Sequence, residues 1–279
     1  MELELWFIAF ISVSAFVCEY VDSTLGMGYG TTLTPLLMLF GFSPLQIVPA
    51  VLLSELVSGL LASVFHHFEG NVDFKPKTAD VDEIKNNIKN NGVYKGLRTT
   101  LSLHMKIALL LAACSIIGTI VAVFVAVNIP KFWLKMYIGI LVLMMGLVIL
   151  IFFNRSFRFS PRKIFFLGMI ASFNKGISGG GYGPVVTSGQ ILSGVEGKSA
   201  VGITSLAEGL TCLVGVIAYA FISSNPIDWR LAPFIVTGAV LSVPLSAKSV
   251  KYISTNKLKL SIAVVTITLG ILTITKTLF

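Results

Sequence analysis

The sequence predicts an all-α, polytopic transmembrane protein with two inverted repeats, each containing a glycine-broken helix or re-entrant hairpin. Three observations carry that expectation. Of 279 residues, 55% are hydrophobic and only 12% charged, against about 25% charged in ordinary soluble domains, and mean hydropathy is +0.88. Several apolar stretches reach the ~20 residues that cross a ~30 Å hydrocarbon layer. Two glycine clusters also recur at a fixed offset. The formal net charge of +8 is not a sign of nucleic-acid binding, because a basic balance in a membrane protein first reports which loops stay in the cytoplasm.

Taken in order, clear spans lie near residues 43–67, 101–127, 132–153, 197–222 and 257–278, with 231–250 a sixth that Pro244 interrupts. Residues 3–21 and 163–173 instead lead into the clusters Gly26-Met27-Gly28-Tyr29-Gly30 and Gly179-Gly180-Gly181-Tyr182-Gly183. Each cluster is followed by an apolar segment of about a dozen residues, which at ~1.5 Å per residue covers ~18 Å, half a membrane. Residues 69–100 hold 11 of the 34 charged residues and form a surface loop, within which Val81, Ile84 and Ile88 share a helical face. Met1-Glu2-Leu3-Glu4 is acidic and lacks the basic start of a signal peptide, so the first segment is expected to be retained.

Sliding the chain against itself by 153 residues aligns Gly26, Gly28, Tyr29, Gly30, Thr34, Leu39, Gly41, Val48 and Glu55 with Gly179, Gly181, Tyr182, Gly183, Thr187, Leu192, Gly194, Val201 and Glu208. With Leu53 on Leu206 as well, ten identities in thirty positions indicate a duplication into 1–153 and 154–279, as in many transporter folds. Lys and Arg number seven in 69–106, four in 154–163 and four in 248–259, but two in 128–135 and one in 223–230. Basic loops stay inside. The N-terminus is therefore expected outside, loop 69–102 in the cytoplasm and the two halves inverted.

Glycine clusters at membrane depth free backbone groups, which is tolerated only where they are packed in protein or line a wet cavity. The segments after each cluster would point their first N–H groups and positive dipole ends at the break, an anion-binding arrangement. The plainer alternative is that the glycines only allow close helix packing. Candidate substrate contacts are Gly26, Gly28, Tyr29, Gly30 and Thr31 in the first half. In the second they are Lys175, Gly179, Gly180, Gly181, Tyr182, Gly183, Thr204 and Ser205, with Ser54, Asn174 and Gln190 as further neutral donors. Lys175 either holds the anion directly or pairs with Asp22 or Glu19, Asp22 being its register counterpart. Glu55 and Glu208 lie mid-span, where a charge costs several kcal/mol unless paired, hydrated or neutralised. They are candidates for proton coupling, or alternatively braces for the broken segments. The partners implied are a small anion, protons and membrane lipid; the residues carry no signal for an oligomeric state.

Three look-alikes carry little. Gly176-Ile177-Ser178-Gly179 has the pattern of an intramembrane serine protease, but His66, His67 and His104 all sit at the edges of the long loop. Residues 194–199 only faintly match a phosphate loop, with Leu192 where its first glycine belongs. The His66-His67 pair lacks further ligands and is expected at the interface, and Cys18, Cys114 and Cys212 lie in apolar spans. No cofactor, metal or enzymatic activity is expected. The duplicated break, the Gly180–Pro184 stretch and Ala200-Val201-Gly202-Ile203-Thr204-Ser205-Leu206 resemble the TauE/SafE family of sulfite exporters, also called the toluene sulfonate uptake permease family. That resemblance implies a multi-pass cytoplasmic (inner) membrane carrier of sulfite, sulfonates such as sulfoacetate, or thiosulfate, often proton-linked. Met27 stands for Gly180 and Thr31 for Pro184, so a symmetric pair of substrate sites is not implied. An anion channel or a carrier of a different small organic anion is the alternative.

Overall fold

The computed structural model describes residues 4–76, 89, 100–151, 161–192, 195–223, 227–252 and 255–279. Among them are ten α-helices and no strand: α1 (Leu5–Leu25), α2 (Tyr29–Leu39), α3 (Pro44–Phe68), α4 (Leu103–Asn128), α5 (Lys131–Ile151), α6 (Pro161–Ser178), α7 (Tyr182–Leu192), α8 (Gly197–Ile222), α9 (Ala232–Ser249) and α10 (Thr255–Leu278). The helical face expected within 80–89 lies outside the described residues.

Six helices are long and apolar enough to cross a membrane: α1, α3, α4, α5, α8 and α9. The expected number is met, but the membership differs. Helix α1 runs unbroken to Leu25 because nothing before Gly26 stops it; Gly26 then ends it in the left-handed region, its N–H returning to the Asp22 carbonyl. Helix α10 contributes a shorter described apolar stretch, Ala263–Leu278. At 11 residues each, α2 and α7 have the half-membrane length expected of them. Pro184 sits in the first turn of α7, where a missing N–H costs nothing.

Each short helix folds back beside the helix before it. The Phe7 ring packs against Phe40 and Phe42 with centroids 5.4 and 6.1 Å apart, tying the end of α2 to the start of α1. In the second half, a Cβ at Gly189 of α7 would lie 3.3 Å from Leu167 of α6. Both pairs are therefore hairpins turning at a glycine break. They open at opposite ends of the bundle. The α1–α2 end is marked by the Gln46–Asp228 hydrogen bond (3.1 Å) and by Lys276 on the Leu39 carbonyl (2.6 Å). The α6–α7 end, where residues 69–76 leave α3, is marked by Ser199 donating to the Asn71 carbonyl (3.0 Å) and Asn71 donating to the Ala247 carbonyl (2.9 Å).

Helix packing is alike in the two halves. Helix α1 packs on α9 as α6 packs on α4, α9 packs on α3 as α4 packs on α8, and α3 meets α8 as α5 meets α10. This arrangement is compatible with inverted repeats. The outer faces stay apolar, with Ile117, Phe124, Ile140, Leu241 and Ile271 exposed, as a lipid solvent allows. Trp6, Trp133 and Trp229, each more than 60% exposed, all lie near the α1–α2 end, where indole rings anchor at a headgroup layer.

Candidate functional site

The two glycine breaks touch each other. A Cβ on Gly30 would overlap the Gly179 carbonyl, one on Gly183 would overlap the Gly26 carbonyl, and one on Gly180 would stand 2.5 Å from the Thr31 nitrogen. Only glycine permits this backbone approach. Gly28 (φ 131°) and Gly181 (φ 80°) also hold angles that a side chain disfavours. Thr187 clamps the contact by donating to the Gly26 carbonyl (2.7 Å); its hydroxyl also meets Thr204 (2.9 Å), which accepts from Gln190 (2.8 Å).

Beside the crossing lies a buried ionic cluster. Helices α3 and α8 approach where Gly59 faces the Ser205 carbonyl, a Cβ there standing only 3.0 Å away, and this brings Glu55 and Glu208 to one place. Lys175, from the last turn of α6, ion-pairs with Glu55 and with Glu208 (2.7 Å) and is completely buried. Its partners are thus the two glutamates and not Asp22 or Glu19. Asp22 completes the group: carboxylate oxygens of Asp22, Glu55 and Glu208 all lie within 4.8 Å of one another. Cys212 points its thiol at Glu55 (3.8 Å). Glu19, one turn before Asp22, is also buried and accepts from Ser23 (2.7 Å). Four buried carboxyls stand against one ammonium, and within a membrane span a carboxylate in excess is costly unless paired, hydrated or neutralised. The Lys175 ammonium already acts as a tethered cation in the three-carboxylate cage.

A family model described as "Sulfite exporter TauE/SafE" matches residues 11–77 and 89–273. The chain belongs to the TauE/SafE family. It is also 25% identical over 243 residues to a protein of Bacillus subtilis (strain 168) named "Probable membrane transporter protein YtnM", covering 82% of this chain and 70% of that one. No solved structure matches. The chain is accordingly a multi-pass membrane transporter of the TauE/SafE family, and both breaks and the ionic cluster fall within the family match.

Other sequence-predicted positions divide in two. Tyr29 joins the core, its N–H donating to Asp22 (3.1 Å) and its hydroxyl bonding Ser54 (2.7 Å). Thr31 and Ser205 spend their hydroxyls on their own chain segments, at the Gly28 and Val201 carbonyls (3.1 Å each). Asn174 accepts from the Tyr137 hydroxyl (2.7 Å). Ser178 has no histidine partner; its hydroxyl donates to the Asn174 carbonyl (2.7 Å) and accepts from the Gly180 N–H (3.1 Å). His66 does not face the surrounding solvent. It is fully buried, bonded through Nε2 to the Ser23 carbonyl (2.8 Å) and through Nδ1 to Asn71 (3.0 Å), because three helix ends converge on it. Sequence reasoning missed the place of Cys212 beside Glu55, and named Glu19 only as a possible partner of Lys175. Asp22 had one signal, its register position opposite Lys175.

A cavity opens at each end of the bundle. One of about 740 Å³ is lined by Ser43, Gln46, Lys131, Asp228, Trp229 and Arg230. At the opposite end, a cavity of about 550 Å³ is lined by His67, Asn71, Asp73, His104, Lys198 and Ser199. The interlocked breaks and the ionic cluster lie between them.

Proposed function

We propose that this TauE/SafE member is a secondary transporter that moves a small sulfur-containing anion across the cytoplasmic membrane by alternating access, coupled to protons. The anion is sulfite, a sulfonate such as sulfoacetate, or thiosulfate. The observation that carries this reading is the Lys175 ammonium held by Glu55 and Glu208 where two oppositely opening hairpins meet. Bound in that way, the ammonium is occupied. Protons on both glutamates release it, and the freed ammonium can then take the anion. Anion entry without protons would add negative charge to a core already in excess, a cost of several kcal/mol at this depth. Cargo and protons therefore load together.

The substrate contacts are Lys175 with the donors of the two breaks: Gly26, Gly28, Tyr29, Gly30 and Thr31, then Gly179 to Gly183 and the neighbouring Thr204 and Ser205. The halves 1–153 and 154–279 rock against each other so that the two end cavities reach the centre in turn. The N-terminus is outside and loop 69–102 is cytoplasmic. The test is uptake of labelled sulfite, thiosulfate and sulfoacetate by proteoliposomes. Saturating flux that quickens when unlabelled anion is placed on the far side supports a carrier. Non-saturating flux without such counterflow is the behaviour of a channel and overturns the proposal; transport of carboxylates alone overturns the substrate class.

A further inference from the structure

The two halves carry the same break but differ at the residues around it, and several of the differences leave the second half short of an internal partner. The Tyr29 N–H, at the start of α2, donates to Asp22. At the matching position the second half has Lys175, whose ammonium is engaged elsewhere, and no side chain among the described residues caps the Tyr182 N–H. The Tyr29 hydroxyl bonds Ser54; its counterpart, the Tyr182 hydroxyl, is fully buried with Ala207 where Ser54 would be, and faces instead the hydroxyl of Thr211, which donates its own proton to the Ala207 carbonyl (2.7 Å). Leu37 and Val51 correspond to Gln190 and Thr204, and Gln190 keeps a buried, unpartnered Oε1. Thr34 in the first half is also unpartnered, but its hydroxyl is walled by Gly179, and Val51 adds an apolar face.

We infer that the transporter has one anion site, at the second break, and that Asp22 is a built-in anion closing the equivalent site in the first. The inference rests on the transport reading and narrows it. A helix of 11 residues presents uncapped amides to an anion, and the first half demonstrates the chemistry by seating a carboxylate on the same amide. The Tyr182 hydroxyl, beside Thr211, supplies a donor that a ligand can engage. Lys175 supplies the charge. The fitting ligand is a small oxyanion with two or more oxygens on one centre, presented to the amide, the hydroxyl and the ammonium together. Its remaining substituent must be short, because the Gly26 and Gly30 backbones close on this break.

The experiment compares sulfite and thiosulfate binding to purified full-length protein, by calorimetry at two pH values, for wild type, Tyr182→Phe, Tyr29→Phe and Ala207→Ser, with thermal midpoints alongside. Wild type binds one anion per chain. Tyr182→Phe, which removes a hydroxyl whose neighbour Thr211 is already committed to the Ala207 carbonyl, weakens binding about tenfold with little loss of midpoint. Tyr29→Phe breaks the bond to Ser54, so it lowers the midpoint while its effect on affinity is much the smaller of the two. Ala207→Ser gives Tyr182 the partner that Tyr29 has, and so raises the midpoint and weakens the anion. Two anions per chain, or a larger affinity loss from Tyr29→Phe than from Tyr182→Phe, overturns the single-site inference and leaves the transport reading standing. No anion binding by wild type at either pH overturns both.

Discussion

The first break carries Asp22 four residues before its leading glycine, and the second carries Lys175 at the same place. The backbones are alike: Gly26 and Gly179 have φ of 70° and 74°, and each is followed by an 11-residue helix. One half has turned its helix end inward onto its own carboxylate; the other has put an ammonium there and turned it toward Glu55 and Glu208. On the single-site proposal, two breaks of one backbone shape would differ in role, one structural and the other functional. Shape is set by glycines and helix lengths, whereas the charge that selects the ligand is set by single side chains.

The largest effect that tests this asymmetry comes from Lys175→Met. Anion transport falls at least about 100-fold, in line with the 2–5 kcal/mol cost of truncating a buried charge partner. The variant also loses about 3–5 kcal/mol of stability at neutral pH because the carboxylates lose their cation. Since protons neutralise the same carboxylates, its thermal midpoint recovers as pH falls, relative to wild type; a deficit independent of pH contradicts the ionic account. Combining Lys175→Asp with Asp22→Lys moves the open helix end to α2, so the double variant regains measurable anion binding that Lys175→Asp alone lacks.

Gly30→Ala comes next. Its Cβ overlaps the Gly179 carbonyl, so the thermal midpoint drops by an amount equivalent to about 1–3 kcal/mol, while Gly197→Ala, which meets nothing within 4 Å, stays near wild type. Equal stability of the two variants means that the breaks are not in contact. The smallest effect is Ser54→Ala, which removes the partner of the Tyr29 hydroxyl and costs about 1 kcal/mol by thermal unfolding.

Much of the frame was legible in the sequence because it is written in length and in glycine. The spans follow from ~20-residue apolar runs, and the half-helices from clusters whose spacing repeats at 153. Helix faces were not legible. In water, polar residues mark the outer face, but here the outer face is as apolar as the core, as exposed Ile117 and buried Leu111 on one helix show. The triad was hidden because Glu55, Lys175 and Glu208 come from three helices, and their meeting depends on how closely α3 and α8 pack at Gly59, which no periodicity reports. His66 looked interfacial by its position beside a loop; its burial follows from tertiary contacts with Ser23 and Asn71.

The central claim is that protons on Glu55 and Glu208 release Lys175 to the anion. It is tested most directly by recording anion uptake and internal pH together in proteoliposomes carrying wild type, Glu55→Gln or Glu208→Gln. The account predicts that the wild-type anion moves with protons and faster as the loading side is acidified. In each Gln variant, a neutral side chain permanently replaces the protonated acid, so anion flux is abolished or continues without its share of proton movement and with a flattened pH dependence. Unchanged flux, unchanged proton movement and unchanged pH dependence in both variants would contradict it.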